Sequence, residues 1–78
     1  MYIKIYTQNG CLHCDRIKSF LKENKLVYYE KNISENKEHY QDLLRLGYPV
    51  VPVTLINGKK YVGFDEEVKK ALLKGVDL

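Results

Sequence analysis

Hydrophobic and polar residues repeat with two different periods along the chain, and each change of period predicts a new element. Residues 2–7 alternate with a period of two and are rich in aromatic and β-branched residues, which predicts a strand. Over residues 12–24 the apolar side chains of Ile17, Phe20 and Leu21 recur at helical spacing. The charged residues expected to face water are Arg16, Lys18, Lys22 and Glu23. The chain therefore begins with a strand and an amphipathic helix.

A second strand and helix follow in the same order. Residues 26–31 contain Val27, Tyr28 and Tyr29 and predict a strand. Ser34 is a residue type that caps helices, so we expect a helix from there to about Leu46, ended by Gly47. The predicted inward face of this helix consists of Tyr40, Leu43 and Leu44.

The last third of the chain predicts a hairpin and a final helix. After a loop over residues 48–52, in which Pro49 is expected to be trans, residues 53–56 form a third strand. Asn57-Gly58 favours a two-residue hairpin turn, since both residue types tolerate positive φ, and residues 60–62 form the returning strand. Asp65 is expected to cap a helix that starts with acidic residues, ends with basic ones and stops at Gly75.

The predicted order βαβαββα defines an α/β fold. The first two strands are joined through a helix, so they should be parallel with a right-handed crossover, whereas the last two form an antiparallel hairpin. With 78 residues the chain is long enough for one domain only. We therefore expect a single domain over residues 1–78, built from a mixed four-stranded sheet with helices on both faces.

Composition and charge narrow the class of function. The apolar fraction of 45% is that of a folded protein, and the formal charge of +3 is spread without any basic block. The lysine pairs at residues 59–60 and 69–70 are interpreted as solvated surface, so nucleic-acid binding is not expected. No apolar run approaches the ~20 residues of a membrane span, and the first residues lack a signal-peptide pattern, so we expect a cytoplasmic protein.

Two cysteines carry the candidate chemistry. Cys11 and Cys14 are separated by two residues, where the first predicted strand gives way to the first helix. In a reducing compartment such a pair indicates redox chemistry rather than a structural bridge. A thiol at a helix N-terminus has its pKa lowered from about 8.5 into roughly the 3.5–7.5 range. Cys14 would lie one turn further on, close enough to attack a mixed disulfide formed at Cys11.

The same residues also allow other interpretations. Structural zinc needs four ligands, and only His13 and His39 could supplement the cysteines, so a zinc half-site is disfavoured. Inert buried thiols are disfavoured at a helix N-terminus that faces a loop. His13 could stabilise the Cys11 thiolate as a partly charged imidazole, or shape substrate contacts by its bulk alone. Asp15 opposes the thiolate, and its expected role is to stabilise the helix N-terminus.

Over nearly its whole length, the chain resembles glutaredoxins and NrdH-type redoxins. The likeness is carried by residues 5–7 leading into the Cys11–Cys14 motif, by Val51-Pro52, and by residues 63–65. It implies a thioredoxin-like fold and a thiol–disulfide oxidoreductase that reduces protein or low-molecular-weight disulfides. Cys11 would be the nucleophile and Cys14 the resolving cysteine, and the peptide bond before Pro52 would be cis.

The resemblance also implies binding residues. The Val51 backbone would pair with an extended thiol substrate, and Gly63 and Asp65 would hold the glutamyl end of glutathione. Phe64 is interpreted either as a platform for a partner protein or as a cap on the core.

The chain departs from the glutaredoxin pattern at three places. Gln8 replaces a lysine that usually contacts a glutathione carboxylate, and Leu12-His13 replaces the usual Pro-Tyr. Val62-Gly63 replaces the usual Gly-Gly and, with Phe64 after it, is closer to the NrdH pattern.

Partners and alternatives follow from the same resemblance. No bound cofactor or metal is implied, and glutathione is a possible co-substrate. The reductant would be glutathione or, as for NrdH-type redoxins that supply ribonucleotide reductase, thioredoxin reductase. The alternatives are an iron–sulfur cluster carrier, with the cluster held between two protomers, and a non-catalytic thioredoxin-fold binding module. We expect a monomer, since no apolar stripe beyond the core faces is evident.

Overall fold

The computed structural model describes residues 2–47 and 50–76 and shows the predicted order of elements. The predicted loop conformation at Tyr48 and Pro49 lies outside these residues. No helix in the described part of the chain is both long enough and apolar enough to cross a membrane. The elements are β1 (Ile3–Thr7), α1 (Leu12–Glu23), β2 (Tyr29–Asn32), α2 (Lys37–Arg45), β3 (Val53–Ile56), β4 (Lys59–Val62) and α3 (Glu66–Val76).

The strands form one mixed sheet in the order β2-β1-β3-β4. β1 and β2 are parallel and β3 and β4 are antiparallel, as predicted. β3 is also antiparallel to β1, which the sequence analysis did not predict. The register places Thr7 beside Asn32, and Val53 between Tyr6 and Val62. The segments that follow β1, β2 and β4 and the segment that precedes β3 therefore lie at the same end of the strands, which we call the site end of the sheet.

Helices cover both faces of this sheet, which confirms the predicted architecture. Successive side chains of a strand point to opposite faces, so β1 contributes to two clusters. The larger cluster joins β1 and β3 to α1 and α3 through Ile3, Ile5, Ile17, Leu21, Ile56, Val68 and Leu72. The smaller cluster, on the other face, joins β1 and β3 to α2 through Tyr6, Leu43 and Val53.

The predicted hairpin turn is confirmed by its backbone. Asn57 has φ of 51° and Gly58 has φ of 89°, the two positive values that a tight turn between twisted strands requires. The last helix was predicted to stop at Gly75, but α3 continues through Gly75 to Val76.

The second strand begins later than predicted, at Tyr29 instead of Leu26. The Leu26 N–H donates to Leu21 O at 2.9 Å, and the Lys25 N–H donates to Lys22 O at 3.1 Å. With Lys25 at φ of 55°, these bonds form a Schellman turn that closes α1. The backbone N–H of Leu26 is therefore hydrogen-bonded to the helix and not to a neighbouring strand, and Val27 is 77% exposed.

The cap of the second helix was predicted wrongly. Asn36, not Ser34, caps α2, because its Oδ1 accepts the Glu38 N–H at 2.9 Å. The inward face is also narrower than predicted, since Leu43 is buried while Tyr40 and Leu44 are 45% and 46% exposed. The helix stops as predicted, because Gly47 follows it with φ of 88°.

A polar network ties α1 to the sheet near the site end. The Thr7 hydroxyl, fully buried, donates to Glu30 Oε2 at 2.6 Å, and Lys18 Nζ lies 3.1 Å from the same oxygen. Partial burial raises the pKa of Glu30, but the hydrogen bonds from Thr7 and Lys18 and the nearby positive charges hold it below its ordinary value. The bond to Glu30 raises the pKa of Lys18. Both groups are therefore charged at neutral pH.

Replacing Glu30 by Gln should lower the free energy of unfolding at pH 7 by about 0.5–1 kcal/mol, because both side chains keep some contact with water. A carboxyl whose pKa is lowered by folding stabilises the protein above its unfolded pKa and loses this effect as pH falls through its folded pKa. The difference between wild type and Glu30→Gln should therefore shrink below about pH 4. Urea unfolding at pH 7 and pH 3 measures it, with Glu35→Gln as the control, and an equal loss at both pH values would contradict the assignment.

Candidate active site

Cys11 lies at the N-terminus of α1, at the site end of the sheet. It is the N-cap residue, with extended backbone angles of φ −99° and ψ 109°. Its sulfur accepts the backbone N–H of Cys14 at 3.1 Å, and its carbonyl accepts the Asp15 N–H at 3.1 Å. Gly10, with φ of 71°, makes the turn from β1 into this position. The sulfur therefore occupies the place where a helix N-terminus stabilises negative charge.

The two cysteines form a disulfide and differ in exposure. Their Cα atoms are 5.2 Å apart. Cys14 is completely buried on the inner face of α1, whereas Cys11 is partly exposed. A substrate can therefore approach the Cys11 sulfur, while Cys14 can attack that sulfur only from inside the protein. This asymmetry fits a dithiol couple with an outer attacking thiol and an inner resolving thiol.

The Val51-Pro52 segment lies next to this disulfide loop. Val53 pairs with Tyr6, so the residues just before β3 run beside the end of β1. The Val51–Pro52 peptide bond is cis, as the resemblance implied, and Pro52 is buried. Pro52 O accepts the Gly63 N–H at 2.8 Å, which joins this segment to the one that follows β4.

Residues 63–65 form the third side of the site. Gly63 has φ of 83°, and Asp65 Oδ1 accepts the Val68 N–H at 3.1 Å, which confirms Asp65 as the cap of α3. The Phe64 ring is half-buried against Phe20, with centroids 5.6 Å apart, and packs on the larger core cluster. Phe64 therefore caps the core, and its use as a platform for a partner stays a prediction.

Two further predicted site residues are exposed close to the cysteines in the sequence. Gln8 directly follows β1, and His13 lies in the first turn of α1. The electrostatic and steric roles proposed for His13 stay predictions. In residues 2–47 and 50–76 no three His, Cys, Asp or Glu side chains come together as a metal site would require.

One set of site contacts was missed from the sequence. Asn9, two residues before Cys11, is hydrogen-bonded to Asn32 and Ser34 at the end of β2. The available signal was the placement of polar residues just after two strands predicted to be parallel. The carboxyl ends of neighbouring parallel strands lie at the same edge of a sheet, so these residues could have been expected to meet.

A disulfide-forming pair at a helix N-terminus, on a mixed sheet with helices on both faces, defines a thiol–disulfide oxidoreductase of thioredoxin-like fold. The family model described as Glutaredoxin matches residues 3–62. The chain belongs to the glutaredoxin family.

Individual relatives support this assignment. The Glutaredoxin-like protein NrdH of Lactococcus lactis subsp. cremoris (strain MG1363) is 27% identical over 62 residues, which cover 80% of this chain and 86% of the relative. The N-acetyl-S-hydroxy-L-cysteine reductase of Bacillus subtilis (strain 168) is 34% identical, covering 82% and 71%. The crystal structure of the thioredoxin-like protein BC3987 matches with a TM-score of 0.81 at 31% identity, covering 90% and 97%.

The exposure difference between the cysteines predicts where a mixed disulfide accumulates. With an aromatic disulfide such as dithiobis(nitrobenzoate), reduced Cys14→Ser should retain one thionitrobenzoate adduct on Cys11, because the resolving thiol is gone. Wild type should release the reagent completely and return to the disulfide. Cys11→Ser should react at least about tenfold more slowly than Cys14→Ser, since its remaining thiol is buried. Mass spectrometry of the intact chain measures the adduct, and a stable adduct on Cys11→Ser instead would reverse the assignment.

Proposed function

We propose that the protein reduces protein disulfides in two thiol–disulfide exchange steps. The Cys11 thiolate attacks one substrate sulfur, a mixed disulfide forms, and the first substrate thiolate leaves. The Cys14 thiolate then attacks Cys11 Sγ, which forms the Cys11–Cys14 disulfide and releases the second substrate thiolate. Two electrons pass from the protein to the substrate. The observation that supports this mechanism is a partly exposed Cys11 bonded to a fully buried Cys14.

The surroundings of Cys11 favour a polypeptide substrate. Exposed apolar side chains near the site end belong to Leu12, Val50 and Val62, which are 60%, 50% and 42% exposed. Burying such side chains on binding is favourable, and an extended segment beside Val51 could use its backbone N–H and C=O as a neighbouring strand does. One chain carries all of these residues, so we expect the monomer to be the active unit.

We further propose thioredoxin reductase as the electron donor and glutathione as a slower co-substrate. Glutathione carries two carboxylates, and the usual lysine contact is replaced by the neutral Gln8. Glu66 and Glu67 add negative charge to the start of α3. The carboxylate of Asp65, the residue expected to hold the glutamyl end of glutathione, already accepts the Val68 N–H. Like charges oppose the approach of an anionic tripeptide. The likeness to a Lactococcus protein named NrdH supports this proposal, because NrdH-type redoxins are the class expected to use thioredoxin reductase.

The Bacillus relative suggests a second substrate class, because its name describes the reduction of an S-hydroxy cysteine. The same two thiols could carry out that reaction. The Cys11 thiolate would attack the S-hydroxy sulfur, the hydroxyl would leave as water with a proton from solvent, and Cys14 would resolve the mixed disulfide. A small S-hydroxy thiol compound therefore belongs among the substrates tested.

The donor assignment predicts a selective response to a single substitution. When NADPH consumption is followed with insulin disulfide as acceptor, reduction through thioredoxin reductase should be faster than through glutathione and glutathione reductase. Gln8→Lys should raise the glutathione-dependent rate about three- to tenfold, by supplying a charge-assisted contact to a carboxylate. Its thioredoxin-reductase-dependent rate should stay within about twofold of wild type.

Gln41→Lys, at an exposed position of α2, adds the same charge outside the predicted site residues and should alter neither rate. A wild-type protein that turns over with glutathione faster than with thioredoxin reductase would contradict the donor assignment. Loss of turnover with both donors in wild type would contradict the redox function itself.

A further inference from the structure

Three polar residues tie the loop before Cys11 to the turn after β2. The Asn9 N–H donates to Ser34 Oγ at 3.0 Å, and Asn32 Nδ2 donates to Asn9 Oδ1 at 3.0 Å. The Ser34 N–H in turn donates to Asn32 Oδ1 at 2.8 Å. The two residues that bond Asn9 are therefore also hydrogen-bonded to each other. We call Asn9, Asn32 and Ser34 the asparagine clamp. The two hydrogen bonds of Asn9 join residues that are far apart in the sequence: Asn32 is 23 positions and Ser34 is 25 positions away.

The clamp rests on a fixed base. Asn32 is the last residue of β2 and pairs with Thr7, the last residue of β1. The Ile33 N–H continues this ladder by donating to Thr7 O at 2.8 Å. The turn that holds Asn9 is therefore anchored in the sheet and does not depend on the disulfide loop for its position.

The linker held by the clamp determines where the Cys11 sulfur lies. Only residues 8–10 separate the end of β1 from Cys11, and Asn9 is the middle one. In the disulfide form, the bond to buried Cys14 holds the Cys11 sulfur at the helix N-terminus. Reduction removes that bond, and the backbone must then keep the sulfur within reach of the Cys14 N–H.

We propose that the asparagine clamp positions Cys11 in the dithiol form of the protein. By fixing Asn9, it limits rotation of the linker and keeps the Cys11 thiolate against the N-terminus of α1. Loss of the clamp should raise the Cys11 pKa. It should also shift the thiol–disulfide equilibrium towards the disulfide. The reduced form would lose the stabilising interaction of the Cys11 thiolate with the N-terminus of α1, whereas in the oxidised form the bond to Cys14 holds the Cys11 sulfur in place. This inference rests on Cys11 being the nucleophile of the proposed function.

Helix α2 provides a control that separates positioning from general stability. Asn36 lies two residues beyond Ser34 and caps α2 through the Glu38 N–H. Asn36→Ala therefore weakens the same region, while both hydrogen bonds of Asn9 keep their partners. Ser34→Thr serves as the conservative variant, because it retains the hydroxyl that accepts the Asn9 N–H.

The experiment titrates the thiolate absorbance of the reduced full-length protein near 240 nm and measures the equilibrium with glutathione and its disulfide. Asn32→Ala and Ser34→Ala should each raise the lower thiol pKa by about 0.5–1 unit. Each should shift the equilibrium towards the protein disulfide about three- to tenfold. Ser34→Thr and Asn36→Ala should match wild type in both measurements.

Two results would overturn the positioning role alone: wild-type values for both alanine variants of the clamp, or an equal shift in Asn36→Ala. A wild-type pKa near the ordinary thiol value of about 8.5 would instead remove Cys11 as an activated nucleophile. That result would overturn the proposed function and this inference together, so the two failures are distinguishable.

Discussion

The hydrogen bond from the Cys14 N–H to the Cys11 sulfur is the interaction on which the site depends. It exists because Cys11 takes the N-cap position, where the first N–H groups of a helix lack partners within the helix. A sulfur in this place satisfies one of these donors and, when it is a thiolate, lies at the positive end of the helix dipole. The chemistry of the motif therefore follows from the point at which α1 begins.

The sheet provides the conditions for this arrangement. Because β1 and β2 are parallel and β3 is antiparallel to both β1 and β4, the segments flanking four strands converge on one edge. That edge brings together the disulfide loop, the cis-proline segment, the start of α3 and the turn after β2. The Thr7–Glu30–Lys18 network links α1 to β1 and β2 near the site end, which helps to fix the position of the helix that carries the cysteines.

Much of this organisation could be predicted from the sequence, because its signals are local. The spacing of the two cysteines, the Asn57-Gly58 turn and the cap at Asp65 each depend on a few neighbouring residues. The start of β2 could not be predicted in the same way, since Lys25 takes a left-handed conformation that is uncommon for lysine and draws Leu26 into the end of α1.

The cap of the second helix could be predicted only with knowledge of the tertiary structure. Ser34 is as good a cap by type as Asn36, but its hydroxyl accepts the N–H of Asn9, 25 residues away in the sequence. Such a competition between a local and a distant partner is decided only when the strand register is known. The exposure of Cys11 and the burial of Cys14 depend on which side of α1 packs on the sheet, and the spacing alone does not contain that information.

The most direct test of this account is to alkylate the reduced protein with iodoacetamide across a range of pH and to locate the label by mass spectrometry. The account predicts that Cys11 is labelled first at every pH, with an apparent pKa well below the ordinary thiol value of about 8.5. Equal labelling of Cys11 and Cys14, or a Cys11 pKa at or above about 8.5, would contradict it.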